Sequence, residues 1–168
     1  MSISQTLLPE YDQEMATTRK LLVRVPEDRF SWQPHAKSMS LGRLATHIAE
    51  LPSLGYRVVT EDSVNLAPPG GEGYKPRTLE TRQEILDLFD KNIAKAREAI
   101  ASTEDPAYFQ PWSLLRGEQT IFTLPRFAVV RSMLFSHIIH HRGQLSVYLR
   151  LNDVPVPSIY GPSADEAM

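Results

Sequence analysis

Along four stretches of the chain, apolar residues recur every three to four positions, the period of one face of an α-helix. The first stretch runs from about Ile3 to Val25, with Leu7, Leu8, Tyr11, Met15, Leu21, Leu22 and Val25 as its stripe. Pro26 ends it, because proline cannot continue a helix. The second opens after Ser40, a residue type that caps helix N-termini, and carries Leu44, His47, Leu51, Leu54 and Val58. Pro52 is a candidate kink within it. The third covers about Thr78 to Ala101, where Thr81 and Glu84 have capping-box spacing ahead of Ile85, Leu88, Phe89, Ile93, Ala96 and Ile100. The fourth, about Pro125 to Leu151, is the longest and most apolar; its stripe is Phe127, Val130, Leu134, His137, His141, Leu145 and Tyr148. Pro125 suits a first helical turn, and Asn152, Asp153 and Pro155 close the segment.

The connections add topology. Residues 61–77, EDSVNLAPPGGEGYKPR, are rich in proline and glycine, which predicts no regular structure. Their length allows a crossover, so the second and third helices can run parallel. In the 104–124 connection, Trp112–Leu115 and Thr120–Thr123 flank RGEQ, the pattern of a short hairpin. Four amphipathic helices predict an all-α fold, a four-helix bundle with long connections, in one domain spanning 1–168.

Composition narrows the function classes. Apolar residues make up 42% and charged residues 23% of 168, which predicts a globular chain with one sizeable core. A formal net charge of -2 argues against nucleic-acid binding by bulk electrostatics. With no cysteine, a metal site here must use nitrogen and oxygen ligands, and any thiol in a reaction must come from outside. The N-terminal run MSISQTLLPEYDQEM lacks the basic and apolar regions of a secretory signal, and no apolar stretch approaches the ~20 residues of a membrane span. The expectation is a cytoplasmic protein.

Histidines interrupt two of the apolar stripes. His137 and His141 are four apart, so they share one helical face, and His47 takes the same place between Leu44 and Leu51. Each buried imidazole without a partner costs roughly 1–3 kcal/mol. One divalent cation shared by His47, His137 and His141 satisfies all three and leaves an open coordination position. The alternatives are a non-catalytic protein whose ion is structural, which needs a fourth ligand, and a metal-free network of hydrogen-bonded core histidines. His140 falls off the stripe and reads as structural support, and His35 reads as an exposed loop residue. Glu50, three residues after His47, is a solvated carboxylate, a fourth ligand, an orienter of His47 or a general base. Arg142 and Gln144 flank His141; the arginine could steady an anionic substrate or make a surface ion pair. Tyr148 and Trp112 read as core or pocket wall. Glu50 is also the only residue that would make a two-histidine, one-carboxylate iron site.

The run SHIIHHRGQLSVYLRLNDVPVP resembles the signature helix of the DinB/YfiT-like family of metal-dependent enzymes, at His137, His141-Arg142-Gly143-Gln144-Leu145 and Tyr148-Leu149-Arg150. SMSLGRLATHIAEL resembles the second-helix motif of the same family. The resemblance implies an up-down-down-up four-helix bundle. It implies a divalent ion, zinc or nickel most often, on the residues matching His47, His137 and His141. It also implies a homodimer formed through helix surfaces. Some relatives transfer or isomerise with mycothiol, bacillithiol or glutathione. The expected activity is therefore metal-dependent, on either a small thiol or water, with no nucleic-acid or membrane partner.

Overall fold

Side-chain caps set where the helices begin. In the computed structural model, which describes residues 2–167, helix α1 (Ile3–Leu22) starts with a capping box: Gln5 N–H donates to Ser2 Oγ at 3.1 Å, and Ser2 N–H to Gln5 Oε1 at 2.8 Å. It stops three residues short of Val25, because the chain tightens through Arg24 N–H to Leu21 O and Val25 N–H to Leu22 O ahead of Pro26. Helix α2 (Leu41–Thr60) begins where Ser40 Oγ accepts from Arg43 N–H at 3.2 Å, and it runs on through Pro52. Helix α3 (Arg82–Ser102) starts at the Thr81–Glu84 capping box, four residues later than the periodicity alone placed it. A short helix α4 (Asp105–Tyr108) follows.

The fourth rod is one helical path in three pieces: α5 (Arg126–Val129), a π-helical turn (Val130–Ser136) and α6 (His137–Leu151). The π turn is wider than an α turn, so it rotates the buried face relative to an uninterrupted 3.6-residue period. That rotation explains a departure from the expected stripe. Phe127 is 39% exposed, while Val129, Val130, Leu134 and Ile138 are fully buried.

Paired residues fix the helix directions. Asp12 binds Arg97 at 2.7 Å and Arg19 binds Asp90 at 2.8 Å, so α1 and α3 are antiparallel. Leu79 N–H reaches Thr46 Oγ1, Asn92 reaches Ala49 O, and Lys95 sits over the Tyr56 ring, so α2 and α3 run parallel. The long 61–77 connection makes this crossover. Glu10 meets Arg131 and Glu14 meets Arg142, so α1 and the fourth rod run the same way. Val58 O meets Arg126, Gly55 meets Leu134 and Met39 O meets Tyr148, so α2 opposes that rod.

A three-stranded sheet corrects the expectation of an all-α chain. Strands β2 (Pro111–Arg116) and β3 (Gln119–Pro125) form the antiparallel hairpin expected around RGEQ, and Gly117 supplies the positive φ of 62° that a two-residue turn demands. Strand β1 (Ser63–Asn65) lies inside the segment expected to be irregular. It pairs parallel to β2, with Val64 opposite Leu114, and the Asn65 side chain clamps both the N–H and the carbonyl of Gly117 at 3.0 and 2.8 Å. Its partner is some fifty residues away, so local pattern carries no trace of it. The chain is thus mainly helical with a small sheet, built on one continuous apolar core. Among the described residues no helix is long and apolar enough to cross a membrane.

Candidate metal centre

The antiparallel packing of α2 against the fourth rod brings His47, from mid-α2, opposite His137 and His141. The π turn ends at Ser136, so His137 is the first residue of α6 and His141 lies one turn on. Ring centroids are 5.3 Å apart for His47–His137, 4.6 Å for His47–His141 and 4.8 Å for His137–His141. One ring nitrogen from each lies within 4.8 Å of the others.

Burial sets the protonation state. It is the largest influence on all three rings and pushes their pKa down, that of His47 to about 3. Mutual repulsion between the rings and the nearby Arg43 charge act in the same direction on His47. The imidazoles are therefore neutral near pH 7, with lone pairs free to coordinate. None of the three rings hydrogen-bonds another, and the buried Nδ1 atoms of His47 and His137 have no hydrogen-bond partner. His141 differs: its Nδ1 lies 2.7 Å from Gln144 Oε1. An amide oxygen can only accept, so the proton sits on Nδ1 and the Nε2 lone pair is left free. Three neutral nitrogens, two of the rings retaining an unpartnered buried atom, form a donor set that fits a divalent cation. They do not form the hydrogen-bonded core network that was the alternative.

Beside the cluster lies a cavity of about 370 Å³. Its walls are Leu51, Leu54, Val64, Leu66, Leu114 and Met133, and His47, His137 and Glu50 stand on its polar side. The small sheet thus serves as one wall. Glu50 is not a freely solvated carboxylate. Arg43 and Arg77 each bind it at 3.2 Å, Tyr74 O–H donates to it at 3.3 Å, and His47 Nδ1 is 4.0 Å away. Tyr74 and Arg77 belong to the crossover, which is thereby tied over the site.

The sequence matches the DinB family over residues 1–168. The chain belongs to the DinB family. An uncharacterized relative, YrdA of Bacillus subtilis, is 26% identical over 159 residues, covering 95% of this chain and 89% of that protein. A DinB-like protein from Bacillus cereus superposes with a TM-score of 0.71 at 22% identity, covering 95% of this chain and 98% of that one. The DinB-like YjoA of Bacillus subtilis gives 0.67 at 20% identity, covering 89% and 96%. These structures share the fold with this DinB protein.

Within the DinB chain, the other residues singled out from the sequence separate clearly. His35 is exposed, its Nδ1 accepting from Lys37 N–H, and it lies outside the cluster. His140 is exposed with its ring 4.8 Å from that of His141. Arg142 does neither of the things expected of it. It is 1% exposed, turned away from the histidines and bound to Glu14, Thr18 and Tyr160. Trp112 is fully buried under the sheet, and Tyr148 packs edge-on against Trp32. Sequence reasoning gave Gln144 no role, although its place three residues after His141 is the signal. It also missed Arg43, one helical turn before His47. No local signal points to Tyr74 or Arg77.

Proposed function

We propose that the protein is a metal-dependent enzyme in which His47, His137 and His141 hold one divalent ion, zinc or nickel, with an open coordination position. The observation that carries this reading is the convergence of three neutral imidazoles, with buried nitrogens unpartnered, at the polar end of an apolar cavity. When bound, such an ion supplies Lewis acidity, making a water or thiol beside it a stronger acid. Among the described residues the group holds three donors and no fourth, which favours an open site over a structural one. We also propose that the whole chain is one domain, an up-down-down-up four-helix bundle carrying the sheet as an insertion.

The chain's own groups divide the remaining work. Gln144 holds the His141 ring in one tautomer and one orientation. The apolar walls keep water from the reacting end of a substrate. Glu50, 4.0 Å from His47 and fixed by two arginines and a tyrosine, is placed to accept a proton from the nucleophile. The nucleophile is either an external low-molecular-weight thiol, giving S-transfer or isomerisation, or water, giving hydrolysis.

The test is an assay of zinc- and nickel-loaded protein with several small thiols, and with no thiol, on a model electrophile and a model ester. The reading expects turnover that is abolished by chelator and by His47→Ala, and that falls about 10²–10⁴-fold in Glu50→Gln. Loaded protein that turns over neither substrate class would refute catalysis.

A further inference from the structure

Two arginines, Arg57 and Arg116, line the cavity, and two more, Arg43 and Arg77, reach its lining carboxylate; all but Arg116 are ion-paired. Arg43 and Arg77 are bound by Glu50, and Arg57 is bound by Glu61 at 2.9 Å. Arg116 is different. It ends strand β2 and lines the cavity along with Leu114 of the same strand. It is exposed, and among the described residues no carboxylate is within ion-pair distance of it. The cavity lining thus holds one carboxylate, Glu50, already bound by two guanidiniums, and one guanidinium, Arg116, with no carboxylate on it, although the whole chain is net negative at -2. A guanidinium left uncommitted at the rim of an apolar cavity is suited to a planar anion, which it can grip through two parallel hydrogen bonds.

We propose that Arg116 is an anion subsite and that the cavity takes an amphiphile: a small apolar body carrying a carboxylate or phosphate head. The head docks on Arg116, the body packs against Leu51, Leu54, Val64, Leu66, Leu114 and Met133, and the opposite end points to His47 and His137. A volume of about 370 Å³ is at the small end of the ~300–1,000 Å³ range of ligand pockets, so the body is short. The assignment of the reactive end rests on the metal-enzyme reading above. The anion subsite itself does not.

The test uses octanoate, octyl phosphate and octanol as probes, titrated by calorimetry into the chelator-treated protein. Wild type is compared with Arg116→Gln and Arg116→Lys, and zinc stoichiometry is measured on parallel samples. At least one anion binds wild type more tightly than octanol does. Arg116→Gln weakens that anion about ten-fold and leaves octanol unchanged, and Arg116→Lys keeps part of the affinity. Octanol binding also shows that the variant's cavity is intact. Preference for octyl phosphate over octanoate, or the reverse, names the head group. Equal binding of octanol and both anions, no binding of either anion, or an Arg116→Gln variant that binds the anion as wild type does, overturns the subsite. Zinc binding is read separately, so loss of one reading is not loss of the other.

Discussion

His141 is held from two sides, by the ring cluster on one and by Gln144 on the other. Removing that support should cost metal affinity without removing a ligand. Gln144→Leu is expected to weaken zinc binding about 10–100-fold in a chelator competition. An unchanged affinity would show that the 2.7 Å contact orients nothing. One residue along, Arg142 provides the contrast. It shares the signature run with His141, but its charge is buried with Glu14 of α1. Arg142→Met leaves Glu14, 6% exposed, without its counter-charge, although the Tyr160 hydroxyl still donates to it, and is expected to cost ~3–5 kcal/mol in urea denaturation. Zinc affinity in whatever folds should stay at the wild-type level. A stable variant with weakened metal binding would reverse these roles.

At the scale of elements, the site depends on how closely α2 approaches the π turn. Gly55 makes that approach possible, since a Cβ there would lie 2.6 Å from Leu134 Cδ2. Gly55→Ala is expected to cost ~1–3 kcal/mol through overpacking, read as a lower melting temperature. A variant as stable as wild type would show that the interface relaxes freely. The C-terminal tail is a second element with its own control. Asp165 is held below the usual carboxylate range by Arg150 and by Val156 N–H, and Glu166 by Ser158 N–H and by Arg24. Both bind fewer protons when the tail is docked than when it is free. Docking is therefore fully supported above the ordinary values of about 4 and weakens as pH falls through the lower, docked values. Hydrogen exchange of residues 152–167, corrected for intrinsic rates, should show protection falling between pH 5.5 and pH 3. Equal protection at both would remove the carboxylates from the clamp.

For the whole molecule, the legible part was whatever periodicity and caps encode. Ser40 and the Thr81–Glu84 pair start their helices as their spacing implies, and three histidines on two stripes do meet in space. The illegible part was non-local. Strand β1 exists because β2 recruits it across the crossover, and Tyr74 and Arg77 reach Glu50 only once that crossover is laid down. The π turn was hidden for another reason: it changes the helical phase without changing the apolar composition, so Phe127 read as inward when it is not. Arg142 eludes the sequence because adjacent residues sit about 100° apart on a helix, so His141 meets α2 while Arg142 meets Glu14 and Thr18 of α1.

All of these scales meet in one question, whether three rings from two helices share a cation. The deciding measurement is metal stoichiometry by elemental analysis of zinc-equilibrated, desalted protein, for wild type beside His47→Ala, His137→Ala and His141→Ala, each checked for folding. Three convergent ligands predict about one ion per wild-type chain, a melting temperature that falls on chelation, and loss of the ion in every variant. Wild type that retains no ion and melts identically in chelator would contradict the metal centre, and so would a variant that keeps its ion.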